Sequence, residues 1–92
     1  MYILVHHQLT KPEEFLAIVQ EGAKFPDGFT VHSFLPAKNH KTATCIWEAP
    51  DTMALENLLE PILGKTSNNT YVQVDEGIAQ GLPGLKEAAM HN

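Results

Sequence analysis

With 92 residues the chain has room for one domain and a small core, in a size range where roughly 60–70% of the unfolded surface is buried. A hydrophobic content of 43%, with no apolar run near the ~20 residues of a membrane span, describes an ordinary globular protein for which a membrane is not an expected partner. The net charge of −5, with six Lys and Arg and no basic cluster, excludes the cationic surface that nucleic acid requires. Cys45 is the single cysteine, which leaves no intramolecular disulfide and no all-cysteine metal cage. The chain starts in a strand-like run without a basic-then-apolar leader, so a cytoplasmic location is expected.

Taken in order, residues 2–9 (YILVHHQL) alternate as a strand and carry two adjacent histidines, which therefore point to opposite faces. Thr10-Lys11-Pro12-Glu13 spells a capping box, and Phe15, Leu16, Ile18, Val19, Gly22 and Ala23 continue as an apolar helical stripe to about Lys24. Pro26-Asp27-Gly28 ends that helix. Residues 29–35 and 42–48 read as strands joined by a polar hairpin connection. Asp51 is an N-cap for a second helix with Leu55, Leu58, Leu59, Ile62 and Leu63 on one stripe; Pro61 is expected to kink or restart it and Gly64 to cap its end. A fourth strand is expected over residues 70–76. The chain thus divides into a domain over 1–77 and a Gly- and Pro-punctuated tail over 78–92 that ends in a short expected helix, Leu85 to Met90, and is expected either to pack on a partner subunit or to fray.

The order β-α-β-β-α-β defines an α+β, ferredoxin-like fold: an antiparallel four-stranded sheet with two helices on one face. Alternation assigns Ile3, Val5, Phe29, Val31, Ala43, Cys45, Val72 and Val74 to the helix side, and Trp47 follows Cys45. The open face then carries Leu4, His6, Phe34, Thr44, Ile46, Tyr71, Gln73 and Asp75. An exposed patch of Leu4, Phe34, Ile46 and Tyr71 calls for a cover, and a second copy of the sheet provides one through the same patch on both subunits. The expected assembly is a homodimeric α/β barrel with a cavity between the sheets.

The junction CIWEAPD, residues 45–51, resembles the strand-to-helix junction Cys-Leu-x-Glu-Ala-Pro of a family of short bacterial dimeric α/β-barrel domains, largely of unassigned function and associated with nickel binding. VHH at 5–7 is similar to that family's first-strand Val-His, and Gly28 falls where its second strand begins. The resemblance covers about residues 2–77 and implies the dimeric barrel fold; the family's frequent second-helix histidine has Leu58-Leu59 in its place here. Related barrels include cofactor-independent oxygenases, haem-handling enzymes and proteins with no known reaction, so architecture selects none of these activities.

Among the residues themselves, His6 lies on the covered face and is read as either a ligand-contacting acid or base or a hydrogen-bonded interface histidine; His7, on the helix side or at its margin, is read as a packed or partly exposed histidine held by a backbone carbonyl. His32, Thr44, Tyr71 and Gln73 complete a ligand-binding set with His6, Tyr71 and Gln73 alternatively forming a cross-strand pair in the dimer interface. His6, Glu48 and Asp75 form a permissive mixed set for a transition metal such as nickel or zinc; the two carboxylates are alternatively rim partners for lysines. Cys45 reads as a buried small hydrophobe, while His40 and His91 read as surface. No phosphate loop, dinucleotide fingerprint or nucleophile triad is visible. The expectation is a homodimer binding a small molecule or a metal ion, with a cofactor-independent monooxygenase- or isomerase-like enzyme using His6 as the alternative.

Overall fold

The structure, a computed structural model, describes residues 1–22 and 24–83. The expected helix at Leu85–Met90, Ala23 of the first helical stripe and His91 lie outside the described residues. The elements are β1 (Tyr2–Leu9), α1 (Pro12–Gln20), β2 (Thr30–Pro36), β3 (Thr42–Glu48), α2 (Thr52–Leu63) and β4 (Ser67–Gln73). The sheet runs β2-β3-β1-β4 with every neighbouring pair antiparallel, which is the ferredoxin-like α+β arrangement. No helix of the described residues is long and apolar enough to cross a membrane.

The core fills the space between sheet and helices. Ile3, Val5, Phe15, Leu55 and Leu59 are essentially inaccessible to solvent, and Leu55, Leu59 and Leu63 present one α2 stripe at four-residue intervals. Burying each of these side chains contributes about 1.5–3 kcal/mol, so this stripe holds α2 to the sheet far more strongly than helix propensity would. Asp51 caps α2, its Oδ1 accepting from the Ala54 amide at 2.7 Å. The helix runs through Pro61 as one element to Leu63. At Gly64 the chain turns so tightly that a Cβ would lie 2.7 Å from the Glu60 carbonyl oxygen, which requires glycine there.

The capping box at Thr10 does not form. The amides of Thr10 and Lys11 both donate to the Thr66 carbonyl, at 2.9 and 3.1 Å, which holds Thr10 to the segment before β4. The helix therefore starts at Pro12 with Lys11 at the N-cap position and no side-chain cap.

Two side assignments also differ from the alternation expected along single strands. β4 begins three residues earlier than expected, and its register pairs Val5 with Tyr71 and Ile3 with Gln73. Directly paired residues share a face, so Tyr71 and Gln73 lie on the helix side and Val72 on the open side. In β2 an irregularity between Val31 and Ser33 adds a residue, after which Phe34 pairs with Cys45 and faces the helices, its ring 6.0 Å from that of Phe15. Ser33 and Leu35 take the open face in its place, paired with Ile46 and Thr44.

Candidate functional site

Between the helices and the sheet, a chain of polar side chains enters the core. His7, fully buried on β1, places Nδ1 2.6 Å from Asn69 Oδ1 and Nε2 3.3 Å from Cys45 Sγ. Asn69 Oδ1 also accepts from Ser67 Oγ at 2.7 Å, while its Nδ2 donates to Glu60 Oε2 at 2.9 Å. Tyr71 donates to the same Glu60 oxygen at 2.6 Å. An Asn amide oxygen has no proton to give, so the network assigns the His7 proton to Nδ1 and leaves Nε2 to accept from the Cys45 thiol.

Burial sets the charge states of this group. It lowers the pKa of His7, reinforced by the charge of neighbouring His6, while the Asn69 hydrogen bond and Glu60 pull the other way. Burial pushes the Cys45 thiol up to about 12, with the nearby Trp47 N–H opposing it. Burial, followed by the hydrogen bond to Glu60, also raises the pKa of Tyr71. His7 and Cys45 therefore form a neutral pair at ordinary pH rather than a thiolate–imidazolium pair.

That pair lines a cavity of about 160 Å³ between the two layers. Its walls include Phe15, Phe34, Trp47 and Leu59, and it extends to the partly exposed Val31 and Ile62 and to Gly22 beyond α1. No lysine, arginine or carboxylate occurs among the described lining residues. Trp47 is 4% exposed, and its Nε1 has no hydrogen-bond partner among the described residues. An apolar cavity of roughly 150 Å³ accommodates benzene, so the volume suits a molecule with one six-membered ring. The neutral walls suit an uncharged one.

The residues expected to form a site are distributed differently. His6 and Thr44 face each other on the open side, His6 Nδ1 lying 3.3 Å from Thr44 Oγ1. His32 donates through Nε2–H to Glu48 Oε1 at 3.0 Å and stacks on Tyr2 with ring centroids 5.6 Å apart. Tyr71 and Gln73 lie on the helix side, across the sheet from His6. The structure does not gather His6, Glu48 and Asp75: His6 pairs with Thr44, four residues along β3 from Glu48 and so roughly 13 Å away at strand spacing. The Asp75 carboxylate instead accepts from the Gly77 amide at 3.0 Å. Among the described residues, no group of three or more His, Cys, Asp or Glu side chains could hold a metal ion.

The end of the described chain lies over its own open sheet face. Tyr2 donates to the Pro83 carbonyl at 2.6 Å, Glu76 accepts from the Tyr2 amide at 3.0 Å, and Tyr2 and Leu82 are both buried outside the main core. Burial, then Glu48 and Glu76, raises the pKa of Tyr2.

Asn69 and Glu60 are site residues that the sequence does not mark, and His7 is held by Asn69 in place of the expected backbone carbonyl. The available signal was parity: His7 and Cys45 both fall on helix-facing positions, two residues apart in the β1–β3 register. No family model, curated protein or solved structure matches the chain.

Proposed function

We propose that this chain is a small-molecule-binding protein whose ligand occupies the cavity between its helices and sheet, and that it works as a homodimer through the open sheet face. The observation that carries the binding reading is the cavity itself, about 160 Å³ and so the size of one ring, with walls that include Phe15, Phe34, Trp47 and Leu59 and carry no charged side chain among the described lining residues. A core serving packing alone would be expected to close such a space, because each unfilled volume costs stability. The homodimer is supported by Leu4, Ile46, Leu35 and Val72 on one face, with Leu35 57% and Val72 49% exposed. A second copy covers the same patch on both subunits.

Trp47 is the single tryptophan and lines the cavity, so its fluorescence reports occupancy at one place. Benzene should give a saturable change with one site per chain, and Val19→Phe, which adds volume at the wall, should abolish it. A linear, non-saturating response in both proteins would refute binding in this cavity.

A further inference from the structure

The open sheet face is already claimed in part by the chain's own end. Tyr2, at the margin of that face, donates from its hydroxyl to the Pro83 carbonyl at 2.6 Å, and its amide donates to the Glu76 carboxylate at 3.0 Å. The segment after β4 is thus fastened near both of its described ends. Leu82 is buried there although it does not belong to the helix–sheet core. Two residues further along β1, Leu4 pairs with both Ile46 and Val72, so three apolar side chains form one row across β3, β1 and β4. The row starts roughly 7 Å from Tyr2 along the strand. Leu4 and Ile46 are partly exposed and Val72 is half-exposed.

Residues 84–92 (GLKEAAMHN) follow Pro83 and lie outside the described residues. Two residues of chain span up to roughly 7 Å, so Leu85 reaches the row from where Pro83 is held. A nine-residue helix of roughly 13 Å is long enough to cross three strands, roughly 10 Å. Leu85, Ala88 and Ala89 stand at i, i+3 and i+4, the spacing of one helical face, and Pro83 precedes them where the start of a helix accepts proline.

We infer that residues 85–90 dock as a helix on the Leu4, Ile46 and Val72 row of their own chain, and so compete with a second copy for the same face. This rests on the proposed homodimer and adds its control: a chain associates only with its tail lifted. Continuity favours this occupant. The chain leaves Pro83 already held to the face, with Leu82 buried, and the apolar pattern resumes two residues later at Leu85. So short a tether gives the tail a high effective concentration at the row, which a second copy matches only as protein concentration rises.

The test compares the wild-type chain with Leu85→Glu, which puts a carboxylate into the docking stripe and leaves residues 1–83 untouched. Leu85→Ser should behave alike, which separates lost apolar contact from added charge. A dimer needs both protomers open, so a tail docked in about two thirds of chains weakens association about tenfold. Sedimentation equilibrium should therefore give both variants a dimer dissociation constant about tenfold below that of the wild type. At concentrations where the chains are monomeric, the substitutions should also shift the methyl resonances of Leu4, Ile46 and Val72 and leave those of Leu55, Leu59 and Leu63 in place. A row of methyl resonances that does not move would overturn docking. A dissociation constant equal to or above that of the wild type, including dimers that never dissociate, would overturn the competition. A wild type and variants that all stay monomeric would overturn the homodimer and the competition with it, and the methyl resonances then decide docking alone.

Discussion

Asn69 joins His7 to Glu60: its Oδ1 lies 2.6 Å from His7 Nδ1 across the β1–β4 pair, and its Nδ2 reaches the Glu60 carboxylate of α2 at 2.9 Å. One amide thus fixes the imidazole's tautomer and ties the edge strand to a helix. Removing it strands a buried N–H on His7, a loss on the order of 1–3 kcal/mol for an unsatisfied donor. Asn69→Leu should accordingly lower the urea midpoint without changing the denaturant slope by much. An unchanged midpoint would mean that His7 finds another partner and that the amide does not hold the network.

His7 also makes stability depend on pH. Its folded-state pKa is depressed, with burial the largest cause, whereas in the unfolded chain it titrates near ~6.5. The unfolded state therefore binds the proton first as pH falls, so the contribution is complete above about 6.5 and is lost progressively below it. Comparing stability at pH 7.5 and 5.5 should show a steeper acid loss for the wild type than for His7→Gln. Parallel losses would show that other groups carry the acid sensitivity.

Cys45 should be chemically quiet in the folded chain. With the thiol pushed up to about 12, only about one in ten thousand is thiolate at pH 8, against a substantial fraction for a free cysteine of pKa ~8.5. Labelling with a neutral thiol reagent at pH 8 should be slower than in urea by about a thousandfold or more, with one label per chain at completion. Native labelling at the denatured rate would place the thiol in solvent and dismantle the His7–Cys45 pair.

The element order and the two-layer fold were legible because each element carries its own period. Leu55, Leu59 and Leu63 repeat at helical spacing, and β1 alternates so regularly that Ile3, Val5 and His7 share the buried side as read. What alternation along one strand could not supply was register between strands. Ser67-Asn68-Asn69 looks like a polar turn, yet Ser67 pairs with Leu9 and its hydroxyl lies 3.3 Å from the Leu63 carbonyl, so polarity there reflects side-chain hydrogen bonding rather than exposure. That shift puts Tyr71 and Gln73 on the helix side. The extra residue in β2 does the same to Phe34, and nothing in the local composition of Thr30–Pro36 marks it. The candidate site consequently moves from His6 on the open face to His7 beneath it. The network around His7 joins β1, β3, α2 and β4, which no local pattern connects.

The open face offers an independent test of assembly. Val72 is half-exposed in the single chain, on the open face of the edge strand β4, so a lysine there is tolerated by the fold but would place a charge in the proposed sheet-on-sheet interface. Sedimentation should give a dimer for the wild type and a monomer of unchanged thermal stability at matched low concentration for Val72→Lys. A wild-type chain that sediments as a monomer would contradict the homodimer and leave the cavity, which lies within one chain, unaffected.

Binding within the helix–sheet cavity is tested most directly by diffraction from crystals pressurised with xenon, an uncharged atom that needs only apolar space. The expected result is a single strong xenon peak among Phe15, Leu59 and Trp47, with the surrounding side chains in place. Side chains closed over that space, with xenon absent from it at saturating pressure, would show that the core has no room for a ligand and would contradict the proposed function.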